Sequence, residues 1–265
     1  MTDRYAVIGH PVAHSKSPWI HAAFARQCGE DIDYGRIEAP PDGFVAAVRA
    51  FRASGGRGLN VTLPFKGEAF AYATRVSARA KRAQAVNTLV FGEEVVGDTT
   101  DGVGLVRDLD QNLAFPLRGR VILLVGAGGA AQGVAEALLE AGPATLTIAN
   151  RTASKASELA KRFDCEGRAF GELAGRRFDL IVNATSAGLR GEAPALPSGV
   201  LERAGLAYDM VYGRATPFLV AARTSGVRAS DGLGMLVEQA AESFYLWRAV
   251  RPRTAPVLEA LRASA

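Results

Sequence analysis

At 265 residues, 48% of them hydrophobic, the chain is long enough for two domains of ordinary size, each with its own core. The formal charge of +4 and pI near 9.3 come from Arg and Lys scattered among Asp and Glu, a pattern that argues against a nucleic-acid partner and leaves only a mild benefit for anionic ligands. No apolar run reaches membrane-spanning length, and Met1-Thr-Asp-Arg-Tyr5 lacks the apolar segment of a signal peptide, so a cytoplasmic protein with no membrane partner is expected. Cys28 and Cys165 are far apart and show neither metal nor redox spacing, which leaves them as buried or incidental thiols.

Residues 5 to 100 alternate short apolar runs with helical patterns and predict an α/β layer structure. Tyr5 to Gly9 reads as strand, Ser17 to Cys28 as helix, Tyr34 to Glu38 as strand and Asp42 to Ala53 as helix. Gly58 to Leu63 reads as strand, and Asn87 to Phe91 with Val95 to Gly97 as a hairpin around Gly92-Glu-Glu94.

Polar residues gather at the ends of these strands. Ser17 before Pro18 suits an N-cap, whereas Ser15 has no such task; two hydroxyls at a helix start make a pocket for a carboxylate. Alternation puts Asn60 and Thr62 on one side of their strand, with Lys66 just beyond its end. Asn87 and Asp101 each stand beside an apolar run, and Asp101 also suits an N-cap. Together these groups fit a small polyhydroxylated acid. All 3 histidines, His10, His14 and His21, lie in the same region, but with no Cys or carboxylate cluster and no helical pairing they predict structural roles and no metal.

Asp101 to about Asn112 then looks helical and is taken as a bridge into a second domain. Val121 to Val125 is a short β-rich run passing directly into Gly126-Ala127-Gly128-Gly129-Ala130-Ala131, followed by Ala-rich sequence with Val134, Leu138 and Leu139. Gly126 suits the tight turn, Gly128 lets a pyrophosphate approach the backbone, and Ala131 lets the helix sit close on the sheet. Gly142-Pro143 stops that helix, and Ala144 to Ala149 supplies the next strand, completing one βαβ unit. The strand ends in Asn150-Arg151-Thr152, with Lys155 a turn later and no carboxylate. An acidic residue there would favour NAD; a cation with uncharged donors fits a 2′-phosphate and predicts NADP(H). Phe178 to Asn183 and Ala207 to Tyr212 read as further parallel strands, and Leu233 to Val250 as a long helix that returns to the first domain, leaving a cleft between the two.

The ordered set His14-Ser-Lys-Ser-Pro18, Asn60-Val-Thr-Leu-Pro-Phe-Lys66, Ala85-Val-Asn-Thr88, Thr100-Asp-Gly-Val-Gly104, Gly126-Ala-Gly-Gly-Ala130, Asn150-Arg-Thr152, Asn183-Ala-Thr-Ser186, Tyr208-Asp-Met210 and Asp231-Gly-Leu-Gly-Met235 closely resembles the shikimate/quinate dehydrogenase family. The resemblance implies an α/β fold with an N-terminal substrate-binding and catalytic domain over 1–100, with a mostly parallel sheet, completed by C-terminal helices over 237–265, and a Rossmann-type NADP-binding domain over 101–236. It implies NADPH-dependent reduction of 3-dehydroshikimate to shikimate, an oxidoreductase step of the chorismate pathway of aromatic amino-acid biosynthesis, by a monomer or homodimer. By the same resemblance Ser15 and Ser17 hold the substrate carboxylate, and Asn60, Thr62, Asn87, Asp101, Tyr212 and Gln239 line the hydroxyl-binding part. Lys66 and Asp101 are the implied catalytic pair. The implied cofactor site is Gly126 to Ala131, Asn150, Arg151, Thr152, Lys155 and Thr185, with Met210, Gly232 and Met235 near the nicotinamide. Two positions depart from the family pattern: Thr99 replaces an Asn common before Thr-Asp, and Gln132 stands where some relatives have Arg. The alternatives are a dehydrogenase that also accepts quinate or NAD, and a non-catalytic NADPH-binding homologue, which would be expected to lack Lys66 or Asp101.

Overall fold

The structure, a computed structural model, describes residues 2–264. By its internal packing the chain divides into two compact units: residues up to Gly104 together with those from Leu236 on, and the intervening Leu105–Met235. Asp101 to Gly104 and Leu236 thus fall in the first unit rather than the second, and the Asp101 carboxylate, bonded to Lys66 and Asn87, gives the reason at the first boundary.

The first unit runs β1 (Asp3–Gly9), α1 (Ser17–Cys28), β2 (Ile32–Glu38), α2 (Phe44–Ala53), β3 (Gly56–Val61), α3 (Lys66–Tyr72), β4 (Arg75–Val76), α4 (Ala78–Ala83), β5 (Thr88–Phe91) and β6 (Val95–Asp98). Its sheet has the order β2-β1-β3-β5-β6-β4. The pairs β1–β2, β1–β3 and β4–β6 are parallel, whereas β3–β5 and β5–β6 are antiparallel. The antiparallel β5–β6 pair follows from the short turn at Gly92–Glu94, because a tight hairpin joins only antiparallel strands. Along β1 the side chains alternate between two cores: Ala6 and Ile8 pack with Phe44, Val48 and Phe65, and Tyr5 and Val7 with Val12 and Tyr34.

Next come α5 (Asp101–Arg107) and a single π-helical turn, Asp108–Asn112. The helix expected over this stretch is therefore present, its last turn widened to π geometry from Asp108. Its carboxylate is buried and accepts from the Tyr208 hydroxyl at 2.6 Å and from Asn112 at 3.0 Å. Bulges of this kind accommodate a residue that tertiary contacts hold off the regular ladder.

The second unit runs β7 (Val121–Val125), α6 (Gly129–Glu140), β8 (Thr145–Asn150), α7 (Ala153–Phe163), β9 (Glu166–Ala169), β10 (Leu180–Asn183), β11 (Leu206–Asp209), α8 (Pro217–Thr224) and β12 (Arg228–Asp231). All strand pairs are parallel, in the order β12-β11-β10-β7-β8-β9. Counted from β7 this is the 3-2-1-4-5-6 order of doubly wound dinucleotide-binding sheets, with the reversal between β7 and β10. Ile122 and Leu124 pack with Val134 and Leu138 of α6, while Leu123 and Val125 pack with Phe218 and Leu219 of α8. Burial on both faces explains why this strand is an unbroken apolar run.

The last helices are α9 (Leu233–Arg248) and α10 (Ala255–Ala263). Within the first unit, Trp247 stacks on Tyr5 with ring centres 4.6 Å apart and donates its indole N–H to the Leu89 carbonyl at 3.0 Å. A side chain on Gly58 would collide with that indole. Arg248 pairs with Asp3 and Glu30, so the end of α9 is pinned to the early part of the chain. Helix α9 stops at Arg248 rather than Val250 because Ala249 turns left-handed, at φ 57°. Among the described residues no helix is long and apolar enough to cross a membrane.

Candidate active site

The loop after β1 carries the two serines, and β2 holds that loop in place. Glu38 accepts from the Val12 N–H at 3.2 Å and lies 3.4 Å from His10, and Arg36 donates to the Ser15 carbonyl at 2.7 and 3.2 Å. Ser17 is not the N-cap of α1. Lys16 occupies that position with helical backbone angles, φ −82° and ψ −8°, so the turn begins one residue early. It is Ser15 whose Oγ accepts the Ser17 N–H, at 3.3 Å, while donating to Ser17 Oγ at 3.1 Å. The two hydroxyls are therefore adjacent, as the carboxylate-pocket reading needs.

A second polar cluster forms where β3, β5, the end of β6 and α9 meet. Asn60, buried at the end of β3, donates to Ser243 Oγ at 2.9 Å, to Thr88 Oγ1 at 3.2 Å and to the Asn87 carbonyl at 3.3 Å, and accepts from the Tyr34 hydroxyl at 2.7 Å. Asn87 accepts the Thr100 N–H at 2.9 Å and donates to Thr100 Oγ1 at 2.9 Å, to Asp101 Oδ1 at 2.9 Å and to Gln239 Oε1 at 3.3 Å. Asp101, the first residue of α5, receives the Lys66 ammonium on its other oxygen at 2.5 Å. The Lys66 and Asp101 side chains are 15% and 7% exposed, so the pair sits in a poorly hydrated setting where charge is felt strongly.

Asn60, Lys66, Asn87, Asp101 and Gln239 thus form one hydrogen-bonded assembly, and Ser15 and Ser17 a second group on the same unit. Thr62 is half-buried just past β3. Tyr212 belongs to the second unit. Four members of the assembly, Tyr34, Thr88, Thr100 and Ser243, escaped sequence reasoning. Thr88 and Thr100 lie within the quoted motifs, beside Asn87 and Asp101, but Ser243 is 183 positions from Asn60 and its only local signal is its place one turn after Gln239.

Beneath this assembly lies His21, fully buried and stacked on Tyr34 with ring centres 4.2 Å apart and planes within 6°. Neither of its ring nitrogens has a hydrogen-bond partner among the described residues. Burial, opposed in part by the Asn60 amide, pushes its pKa down to about 3. Thr99 is also buried, and its hydroxyl likewise has no partner among the described residues.

On the second unit the candidate cofactor residues follow the ends of β7, β8, β10, β11 and β12, with those after β7 and β10 flanking the strand-order reversal. Gly126 takes φ +117°, and a Cβ there would stand 3.2 Å from the Ala184 carbonyl, so both backbone conformation and space require glycine. At Gly128 a Cβ would meet nothing within 4 Å, which leaves the start of α6 open to a ligand. No side chain caps that helix, so its first N–H groups are available to phosphate oxygens. At the end of β8, Asn150 donates to the Thr152 carbonyl at 3.1 Å, and Arg151, Thr152 and Lys155 are exposed. This donor set suits a phosphorylated dinucleotide: backbone N–H groups for the pyrophosphate, and a guanidinium with neutral donors where a 2′-phosphate needs them.

The loops after β10 and β11 are tied together by Asp209. It accepts from Asn183 at 3.2 Å, from Thr216 at 2.6 Å and from the Val211 N–H at 3.0 Å, while Asn183 accepts from both the N–H and the hydroxyl of Thr185. Burial raises the Asp209 carboxyl above its ordinary range. A side chain on Gly232 would collide with the Met210 carbonyl, and Met235 is packed into the core beside Tyr208.

Both units have counterparts among known proteins. Residues 7–89 match the model of the shikimate dehydrogenase substrate binding domain, 108–190 that of shikimate / quinate 5-dehydrogenase, and 232–262 that of the shikimate 5′-dehydrogenase C-terminal domain. The NADP(+) shikimate dehydrogenase of Methylobacillus flagellatus is 58% identical over 99% of this chain and 100% of its own. An Ael1 enzyme from Pseudomonas putida superposes with a TM-score of 0.92 at 48% identity, covering 98% of both chains. The shikimate 5-dehydrogenase of Thermus thermophilus, solved in complex with NADP(H) and shikimate, does so with a TM-score of 0.88 at 36% identity, covering 100% of both. A substrate-type unit built around buried lysine and aspartate, a doubly wound unit with an open glycine turn, and full-length likeness at this level place the chain in the shikimate dehydrogenase family.

Proposed function

We propose that this protein is an NADP-dependent shikimate dehydrogenase, which reduces 3-dehydroshikimate to shikimate by reversible hydride transfer in aromatic amino-acid biosynthesis. The observation that carries the reading is the Lys66–Asp101 pair, 2.5 Å apart, largely buried, and continuous with the amide and hydroxyl assembly of Asn60, Asn87 and Gln239. The non-catalytic alternative is expected to lack one member of that pair.

Bound nicotinamide supplies the hydride to the ketone carbon. What the chain must add is a proton for the carbonyl oxygen and stabilisation of the charge that develops on it. The Lys66 ammonium does both: it donates a proton to that oxygen in the reductive direction and takes it back in the oxidative one. Asp101 aims the ammonium through one carboxylate oxygen, and Asn87 holds the other. Ser15 and Ser17 receive the substrate carboxylate, and Asn60, Thr62, Asn87, Asp101, Tyr212 and Gln239 its hydroxyls. On the second unit, Gly126 to Ala131 cradle the pyrophosphate and Asn150, Arg151, Thr152 and Lys155 receive the adenosine phosphate, while Thr185, Met210, Gly232 and Met235 belong to the nicotinamide end. Both ligands are small soluble anions, in keeping with a cytoplasmic enzyme, monomeric or homodimeric, that engages neither nucleic acid nor membrane.

Following NADPH absorbance with 3-dehydroshikimate, and NADP reduction with shikimate and quinate, tests the proposal directly. Turnover of the shikimate couple with NADP is expected; its absence sinks the reading, and equal turnover of quinate broadens it. Cofactor choice has its own check. Arg151→Ala is expected to raise KM for NADP by about tenfold, the loss of one charge-assisted phosphate contact, while KM for NAD stays within about twofold. Equal effects on both cofactors would remove Arg151 from phosphate recognition.

A further inference from the structure

Asn60 has a carboxamide whose orientation decides whether it offers a ligand an acceptor or a donor, and the protons of its surroundings can be placed from groups that admit one role only. The Thr100 N–H can only donate, so the Asn87 atom it meets at 2.9 Å is the oxygen, and the Asn87 nitrogen faces Asp101. The Asn87 carbonyl can only accept, so the Asn60 atom beside it at 3.3 Å is the nitrogen. The two hydrogens of that nitrogen are shared among this carbonyl, Ser243 Oγ at 2.9 Å and Thr88 Oγ1 at 3.2 Å. The Thr88 and Ser243 hydroxyls are 2.8 Å apart and one gives its hydrogen to the other, so either Ser243 passes its own to the Gln239 carbonyl at 3.1 Å or Thr88 passes its own to Asn87 Oδ1 at 2.9 Å. The Asn60 oxygen takes the Tyr34 hydroxyl proton at 2.7 Å and keeps one lone pair.

Tyr34 stands on β2 and Ser243 on α9, so two elements other than Asn60's own strand grip the amide from opposite ends. The Tyr34 ring cannot swing, because its face is covered by His21. Burial also keeps its hydroxyl protonated, hence a donor, far above neutral pH. We propose that Tyr34 and Ser243 are positioning residues for substrate recognition: together they lock the Asn60 amide so that the spare lone pair of its oxygen is presented to a hydroxyl of the polyhydroxylated acid. This rests on the function proposed above. Without either grip the amide is free to rotate and present N–H groups instead, and the donor–acceptor match with the substrate hydroxyl is lost.

Tyr34→Phe and Ser243→Ala are each expected to raise KM for shikimate by about five- to tenfold with kcat within about threefold, because neither touches the reacting atoms. If both act through Asn60, they add less than about twofold to KM when introduced into Asn60→Ala, the non-additivity of residues on one path. A purely structural role would lower the unfolding midpoint without this split between KM and kcat. Wild-type turnover of shikimate with NADP is established first, so failure of the proposed function is seen before any variant is compared. An unchanged KM in a folded variant, effects that multiply in the Asn60→Ala background, or a fall in kcat instead of a rise in KM would each overturn the proposal. Should one variant not fold, the other carries the test; loss of fold in both places the grip in core formation and overturns it as well.

Discussion

Replacing Lys66 by Ala is expected to lower kcat for shikimate oxidation by about 10²- to 10⁴-fold while KM for shikimate stays within a few-fold, measured by NADP reduction at saturating cofactor. The asymmetry follows from position. The ammonium opens α3 just beyond the β3 end that carries Asn60, and the Asp101 carboxylate holds it at 2.5 Å, so its charge is aimed before substrate arrives. Carboxylate and hydroxyl recognition falls to other residues, so removing Lys66 costs mainly what is needed as charge builds on the carbonyl oxygen. Asp101 keeps its bond from Asn87 in the variant, which limits the structural damage. A turnover close to that of the native enzyme would take Lys66 out of the chemistry.

Acid is expected to destabilise the first unit through His21. Burial holds its folded pKa at about 3, whereas an unfolded histidine titrates near 6.5. Between those values the unfolded chain binds a proton that the folded chain refuses. The contribution is therefore complete above about pH 6.5 and is lost progressively as pH falls toward 3. By pH 4.5 the loss amounts to roughly 2–3 kcal/mol, at about 1.4 kcal/mol per pH unit. Urea unfolding at pH 7.5 and 4.5 reads it, with His21→Phe as the comparison. That ring preserves the stack on Tyr34 and carries no proton, so the difference between the two pH values should shrink by about that amount. Carboxylates such as Glu166, held down at about 2 chiefly by Arg176, add an acid loss common to both proteins. An identical pH dependence in the two would show that His21 does not titrate on unfolding.

Much of the second unit could be read from the chain because its strands are buried on both faces and its turn chemistry is local. Val121–Val125 passing into Gly126 and Gly128 needs nothing distant to be recognised, and the parallel order follows once helices alternate with strands. Helix α1 likewise shows both of its ends, Ser17-Pro18 at the start and Gly29 in the left-handed region after Cys28. Its cap was misassigned because Ser15 and Ser17 are two residues apart with the same side chain, and only the backbone angles of Lys16 decide between them. The π-turn at Asp108 was invisible because the bond that motivates it reaches Tyr208, 100 positions away. Distance in sequence also hid Ser243 and Tyr34. Each is an ordinary residue by type, one on an apolar helix and the other on a strand, and acquires its importance from the amide it meets.

The first unit is discontinuous: its early strands close over their core only with Trp247, Arg248 and Ser243 from the end of the chain. During synthesis the second unit has all of its residues once Met235 has left the ribosome, and can fold as a contiguous piece. The N-terminal segment, though made first, must wait for the last stretch from Leu236 before Asn60 gains its serine and Asn87 its glutamine. Production order and folding order are thus inverted, and a nascent chain arrested just after Met235 would carry a finished nucleotide fold tethered to an incomplete partner with no working substrate pocket.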